Sequence, residues 1–377
     1  MIKKIRIMHV AQSSGGVARY IQMLLKYLDK SMFENILIAS HDYNKDDFCN
    51  LVNFFEQINM NRSICVNDIK AITGVRRLIK KYKPDIIYAH SSKAGAVTRI
   101  ADLGIYNKCI YNPHGWSFNM RCSKKKQIVY STIEKMLAPL ADFIVCISEA
   151  EKKSALDKKI CLDKKIQVII NGVDIEQLQF NKGRVITRKE LKIPYDAFII
   201  GMVGRISKQK APDIFMKVAK EIKKTIKNSY FIIVGNGEQQ NEVENYAKKY
   251  GLSDSLLITG WVDSPLSYVD LFDVAMLLSR WEGFGLVLPE YMIAGKPIVA
   301  TRVDAIPEII THYKNGLLIE VDNVGAACKS VMELYNRQNL RVNLVNQGYI
   351  DVVEKFNARR VAVEHQELFK KLVVNVM

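Results

Sequence analysis

The chain lacks any uncharged apolar run of about 18 residues, the length a membrane-crossing helix needs. Its opening residues, 1–10, are too short and too interrupted by Lys3, Lys4 and Arg6 to read as a signal peptide. The expectation is a soluble or peripheral protein. The seven cysteines, at 49, 65, 109, 122, 146, 161 and 328, include no C-x-x-C pair and form no even framework. A disulfide scaffold and a zinc site are therefore not expected, and the thiols suit a reducing, cytoplasmic compartment. No internal repeat, low-complexity segment or nucleic-acid-binding motif occurs either.

Acidic residues are scarce, and unevenly so. The formal charge is +16, yet residues 1–190 hold 32 Lys and Arg against 18 Asp and Glu, a net of +14, while the remainder is nearly balanced at +2. Clusters at 76–83, 121–126, 152–153 and 158–165 concentrate that charge. Such density suits an anionic membrane surface, or simply solvated helix faces; without a binding motif or interleaved aromatics, nucleic acid is the weaker partner.

At 377 residues, 49% of them hydrophobic, the chain can bury two cores. Apolar runs alternate with amphipathic stretches throughout, the pattern of a doubly wound α/β protein. Strands are expected at 5–10, 34–39, 85–89, 108–112, 143–147 and 167–170, then at 198–203, 230–234, 256–259, 273–279, 297–301 and 317–319. Helices are expected at 17–28, 74–81 and 286–294. Two Rossmann-like domains result, with the polar segment 179–192 between them. Ligands of such sheets bind beyond the carboxyl ends of the strands, so the expected site is a cleft between facing domains.

Gly-rich turns follow strands in both halves. Ser13-Ser14-Gly15-Gly16-Val17 follows the first strand, where the backbone can approach a ligand and amides point from a helix start. Gly204-Arg205 and Gly235-Asn236-Gly237-Glu238 end the first two strands of the second half. Arg205 can fork onto phosphate oxygens and Lys210 adds a compact charge. In Glu282-Gly-Phe-Gly-Leu-Val-Leu-Pro-Glu290 two carboxylates bracket a turn whose Phe284, Gly285 and Leu286 amides can meet an anion. A carboxylate is repelled by phosphate, so Glu282 and Glu290 should accept from neutral hydroxyls flanking it. A phosphate ester with a sugar at each end has that form. His114, beyond a strand in Asn112-Pro-His-Gly-Trp116, can donate to a hydroxyl or accept a proton. His90 is open to a structural or functional reading, whereas His9, His41, His312 and His365 read as structural.

Three further segments have two readings each. Asp174 in Asn171-Gly172-Val173-Asp174 caps a short helix or shapes a hinge. The basic and apolar stretch from Arg121 to Leu140 either buries its stripe against the sheet or lies on an anionic bilayer. Trp116 and Phe118 are acceptor platforms or loop packing.

Together these residues resemble the GT-B glycosyltransferases of family 4, a retaining group of bacterial polysaccharide and glycolipid biosynthesis. The resemblance covers almost the whole chain. Its most specific part is the E-x7-E segment continuing through Tyr291 to Ala300, supported by Gly15-Gly16, His114-Gly115, Asn171 to Asp174, Gly204-Arg205 to Lys210 and Gly235 to Glu238. It implies an N-terminal acceptor domain (1–183), a donor domain (184–358) and a C-terminal helix (359–377) packed on the first. It also implies that Arg205 and Lys210 hold the donor diphosphate, with amides of Gly16, Gly285 and Leu286. Gly15 and Gly235 would line the donor site, Glu290 would grip the ribose, and Glu282 and His114 the transferred sugar. The implied reaction is retaining transfer of a hexosyl unit from a nucleoside diphosphate sugar, a UDP-sugar, to a polyprenyl-diphosphate-linked saccharide at the inner face of the cell membrane. With Arg205 and Lys210 in the electrostatic role and no Asp-x-Asp at a donor loop, neither metal nor cofactor is expected. A soluble transferase using a small acceptor, and a noncatalytic nucleotide-sugar binder, are the alternatives. Two departures bear on loop shape: Ala211-Pro212 after Lys210, where the family often has Gly, and Asp304-Ala305 in place of Gly-Gly.

Overall fold

The computed structural model describes residues 3–12, 14–61, 65–120, 122–180 and 184–374. Residues 1–2, Ser13, residues 62–64, Arg121 and residues 181–183 and 375–377 lie outside them. The chain forms two compact units: Met1–Asn171 with Ala358–Met377, and Gly172–Asn357. The division falls within the Asn171 to Asp174 turn, where Val173 bridges Asn357, so both ends of the second unit meet at its edge. Asp174 Oδ1 accepts from Gln177 N at 3.0 Å and caps the helix Ile175–Phe180.

In the first unit a parallel sheet comprises β1 (Ile5–Ala11), β2 (Phe33–Ala39), β3 (Phe54–Gln57), β4 (Ile86–His90), β5 (Lys108–Asn112), β6 (Phe143–Cys146) and β7 (Ile166–Val168). Their spatial order is β3-β2-β1-β4-β5-β6-β7. In the second, β8 (Phe198–Val203), β9 (Ser229–Val234), β10 (Leu256–Ile258), β11 (Val274–Leu277), β12 (Ile298–Thr301) and β13 (Leu317–Ile319) run in the order β10-β9-β8-β11-β12-β13. Strands buried on both faces explain the continuous apolar runs; all six residues of β8 and all five of β4 are buried.

The strand β3 was not anticipated. It is an edge strand of only four residues, two exposed and two half-buried, so its Phe-Phe-Glu-Gln sequence shows neither an apolar run nor alternation. The second helix spans Asp68–Tyr82 rather than 74–81, with Gly74 inside it against Ile58. The segment 121–140 contradicts the burial reading: in the helix Lys124–Leu137 the buried residue is Glu134, while Ile128, Val129 and Met136 are exposed. Glu134 is drawn inward by Arg99, paired at 2.9 Å, and by the Tyr111 hydroxyl at 2.8 Å. Trp116 and Phe118 are loop packing, stacked at 5.2 Å and both 2% exposed.

The helix Ala358–Val374 belongs to the first unit. Phe369 packs edge-on against Phe33 at 5.9 Å, and Arg360 Nη2 donates to Ile170 O. His365 reaches the helix Gly16–Tyr27 through Tyr20.

In both sheets the chain reverses its winding between two adjacent strands, β1 and β4 in one, β8 and β11 in the other. Beyond the carboxyl ends at such a switch point a crevice opens. The core beneath β8 tolerates no enlargement there: a Cβ on Gly201 would lie 2.1 Å from Cζ of Phe272. Gly201→Ala is expected to destabilise the second unit by about 1–3 kcal/mol through overpacking, read as a lowered urea midpoint.

Candidate functional site

In the second unit, the turn after β8 carries Gly204, Arg205 and Lys210, and the turn after β11 carries Ser279 to Glu282. Lys210 Nζ donates to Glu282 Oε2 at 2.5 Å, and Ser279 Oγ donates to the same oxygen at 3.0 Å. These two carriers of opposite charge, 72 residues apart, are thus in direct contact. Their side chains are mostly buried, at 16% and 11% exposure, so solvent screens the pair less than a surface pair.

The two turns are fastened a second time by Arg280. Its Nη2 meets Asp213 Oδ2 and its Nε meets Asp322 Oδ1, each at 2.7 Å, while Nη1 donates to Lys208 O at 3.1 Å. Arg280 N donates to Gln209 O, and Gln209 Nε2 to Trp281 O. The adjoining glycines permit a third close approach. A Cβ at Gly235 would fall 2.2 Å from Gly204 O, so only glycine lets the turn after β9 lie on the turn after β8.

Both departures noted in the sequence, at Ala211 and Asp304, lie in this cluster. Ala211 takes φ 51° and Asp304 φ 45°, left-handed conformations in which glycine costs less. Asp304 has a compensating contact: its Oδ2 accepts from Glu282 N at 2.8 Å. The loop that carries Glu282 is therefore held by the Asp304 carboxylate, a contact glycine could not make.

Of the other residues singled out, Arg205 lies apart from Lys210 in its bonding, its Nε meeting Glu238 Oε2 at 3.1 Å with both side chains more than half exposed. Phe284 is buried against Phe356 at 6.0 Å, so it offers backbone rather than ring. Gly285 adopts φ 91° and Leu286 caps a helix, Val287–Ile293, shorter at each end than the sequence suggests. Glu290 lies within that helix, 8% exposed. Tyr291, beside it, accepts from Val203 N through its hydroxyl at 2.8 Å and ties the helix to β8.

Gly15, Gly16 and His114 belong to the first unit. Gly15 adopts φ 84° before the helix Gly16–Tyr27, and a Cβ on either glycine would meet nothing within 4 Å. His114 also adopts a left-handed φ of 52°, its N–H donating to Asn112 Oδ1 at 2.9 Å. Its ring rests edge-on against Tyr20 at 4.6 Å and stacks near His90. Burial lowers its pKa to about 3, with His365 adding to the effect. His114 is thus neutral throughout the physiological range. Among the described residues, no group of three or more His, Cys, Asp and Glu is arranged to hold a metal ion.

Sequence reasoning missed Ser279, Arg280 and Asp213, which hold the turns around Lys210 and Glu282, and it marked Asp304 for loop shape without its bond to the Glu282 backbone. The signal for Arg280 was its place two residues before Glu282; its acidic partners are distant in sequence and gave none. Burial alone would raise the Asp213 carboxyl, but the hydrogen bond and charge of Arg280 hold it below the ordinary 3.8. A lowered native pKa gives stability that is complete above the unfolded value and lost as pH falls through the native one. Arg280→Leu is therefore expected to cost about 2 kcal/mol near neutral pH, with the difference from wild type shrinking once the pH drops below about 3.8. Urea titrations of both proteins across that range check it; a difference independent of pH would contradict the pairing.

Comparison with known proteins adds lineage to this geometry. Residues 184–351 match the family model for glycosyl transferases group 1, and residues 14–177 match that for Glycosyltransferase Family 4. The UDP-Gal:alpha-D-GlcNAc-diphosphoundecaprenol alpha-1,3-galactosyltransferase of Escherichia coli is 29% identical over 382 residues, spanning 99% of this chain and 98% of the relative. An uncharacterised 41.2 kDa protein from the cps region of Klebsiella pneumoniae is 30% identical over 84% of this chain and 86% of its own length. Among solved structures, Anabaena HepE in complex with UDP and glucose aligns at TM-score 0.81 and 18% identity, over 97% of this chain and 99% of that one. The two doubly wound parallel sheets are those of the GT-B fold, and the chain belongs to the family 4 glycosyltransferases.

Proposed function

We propose that this glycosyltransferase serves cell-surface polysaccharide or glycolipid biosynthesis, moving a hexosyl unit from a UDP-sugar to a hydroxyl of a lipid-linked saccharide with retention at the anomeric carbon. The observation that carries the donor reading is the joint placement of Lys210 and Glu282 at a switch point, held by Ser279 and Asp304. The likeness to the Escherichia coli transferase, whose name specifies UDP-Gal and a diphosphoundecaprenol-linked sugar, supports the donor and acceptor classes.

The chemistry follows from charge. Breaking the anomeric bond builds negative charge on the leaving diphosphate. Lys210 has three N–H donors, and its bond to Glu282 leaves two for phosphate oxygens. Arg205 and the amides of Gly16, Gly285 and Leu286 complete the set. Glu282 and His114 hold the transferred sugar and Glu290 the ribose, with Gly15 and Gly235 lining the donor. The leaving phosphate oxygen accepts the acceptor hydroxyl's proton, so no separate base is needed, and the fixed cations stand where other transferases use a metal.

Loss of one such preorganised donor is worth about 2.7–4 kcal/mol, so Lys210→Ala should lower kcat by about two to three orders of magnitude. Glu290→Ala should weaken UDP binding about tenfold, the scale of a hydrogen bond. Glu282→Ala should reduce transfer far more than UDP binding. Calorimetry with UDP beside turnover assays separates these, and equal losses at both glutamates would sink the division of roles. Activity is expected to persist in excess chelator.

The acceptor reading rests on the helix Lys124–Leu137. Lys124, Lys125, Lys126 and Lys135 flank the exposed Ile128, Val129 and Met136, the last at 72% exposure. Each lysine near an anionic leaflet contributes about 1 kcal/mol, and the apolar side chains can enter the headgroup boundary. No helix among the described residues is long and apolar enough to cross a membrane. We therefore place the protein peripherally at the cytoplasmic membrane face. At low salt it should sediment with phosphatidylglycerol vesicles and not with phosphatidylcholine vesicles, and Ile128→Asp with Met136→Asp should abolish the difference. Equal sedimentation of wild type with both lipids would refute membrane docking.

A further inference from the structure

Three histidines in the first unit form a continuous chain from the buried sheet toward the carboxyl ends of the strands, ending at the half-buried His114. His9 lies on β1, His90 ends β4 and His114 follows β5. The parallel register pairs Ala11 with His90 and His9 with Tyr88, so His9 and His90 share a face of the sheet, one step apart diagonally. His9 Nδ1 lies 3.1 Å from His90 Nε2, and His90 Nδ1 lies 3.0 Å from His114 Nε2. At the inner end His9 Nε2 lies 3.4 Å from Asn35 Oδ1. His9 and His90 are fully buried.

A neutral imidazole has one donor and one acceptor nitrogen. A row of such rings must therefore hydrogen-bond in a single direction, and the group at its end chooses which. The Asn35 oxygen can only accept, so His9 Nε2 bears the proton and donates to it. His9 Nδ1 is then a lone pair that accepts from His90 Nε2–H, and His90 Nδ1 accepts from His114 Nε2–H. The remaining nitrogen of His114, Nδ1, is an acceptor. Neutrality follows from burial, which lowers His9 to about 4 and takes His90 well below its ordinary value.

We infer that Asn35, His9 and His90 are positioning residues that hold His114 as its Nε2–H tautomer, making His114 Nδ1 an obligatory acceptor for a hydroxyl of the transferred sugar. The second half rests on the reading of His114 as a sugar contact. A separate set of bonds holds the rings in place. Asn112 accepts His114 N–H through Oδ1 and donates through Nδ2 to the Tyr88 hydroxyl at 3.2 Å. The Tyr88 and Tyr20 hydroxyls both meet His365 Nε2, at 3.0 and 2.9 Å. His365 has the opposite tautomer, since its Nδ1 faces the carbonyl of Val361 at 2.7 Å and must donate.

Isotope-labelled histidine in the full chain, with long-range proton–nitrogen correlation spectra at neutral pH, reads each ring's tautomer without substrate. His114→Gln and His90→Gln assign the signals. The relay gives Nε2–H rings at 9, 90 and 114 and an Nδ1–H ring at 365, the internal contrast. An Nδ1–H ring at His114 in the wild-type protein overturns the inference. His90→Leu removes the acceptor; it should release His114 into a tautomer mixture and lower kcat about threefold to tenfold, the worth of one neutral hydrogen bond. His90→Gln, whose side-chain oxygen can accept, should recover both. An unchanged His114 tautomer in His90→Leu likewise overturns the relay. A changed tautomer with unchanged kcat overturns His114 as a sugar contact and leaves the tautomer result standing, so the two readings fail separately.

Discussion

Everything chemical in this chain depends on the absence of free faces in its parallel sheets. Each strand at the centre of a sheet is covered above and below, so a polar side chain within it must be paired inside the protein. Where a strand ends, its last residue and the following turn escape that condition. Among the residues assigned to donor or sugar, Gly15, His114, Arg205, Lys210, Gly235 and Glu282 all follow strand ends. The switch points between β1 and β4 and between β8 and β11 then decide which turns become neighbours.

The Lys210–Glu282 contact illustrates what that placement costs. Two charges largely withdrawn from water lose hydration, which their mutual attraction offsets only when the geometry is good and remaining bonds are satisfied. Ser279 satisfies one of them, on the same carboxylate oxygen as the lysine. Asp304 fixes the backbone at Glu282, and Arg280 with two aspartates prevents the turns from separating. None of these residues is assigned to donor or sugar, yet they fix the turns that hold the pair together.

How much of this was legible follows from the range of the signals. Strand runs and Gly-rich turns are local, and they yielded the fold class, the sheets and the turns that hold Arg205, Lys210 and Glu282. The edge strand β3 was invisible because an edge is half-exposed and short. The helix Asp68–Tyr82 extends six residues before the expected start at Gly74, whose lack of a side chain admits Ile58. The Lys124–Leu137 helix looked like a buried element because its apolar residues fall at helical spacing; the strongest inward pull acts on Glu134 through Arg99, a pairing between separate helices that no window of sequence contains. Arg280 with Asp213 and Asp322, and the histidine chain, are of the same kind.

Ala211 and Asp304 show why a departure from a family pattern need not unmake a site. At both positions the backbone enters the left-handed region, and an L side chain costs about 1–2 kcal/mol there. For Asp304 the short carboxylate can bond locally, which lessens the penalty, and the bond it makes is to the backbone of Glu282 itself. Ala211 has no such group, but it is fully buried and followed by Pro212, which opens the helix Pro212–Thr225 at a position that needs no N–H. Tertiary packing and a proline-set helix start therefore hold the turn after Lys210 in the shape glycine would otherwise permit. At both positions this chain holds a left-handed backbone by constraint rather than by glycine, and at Asp304 a carboxylate lies against the loop that carries Glu282.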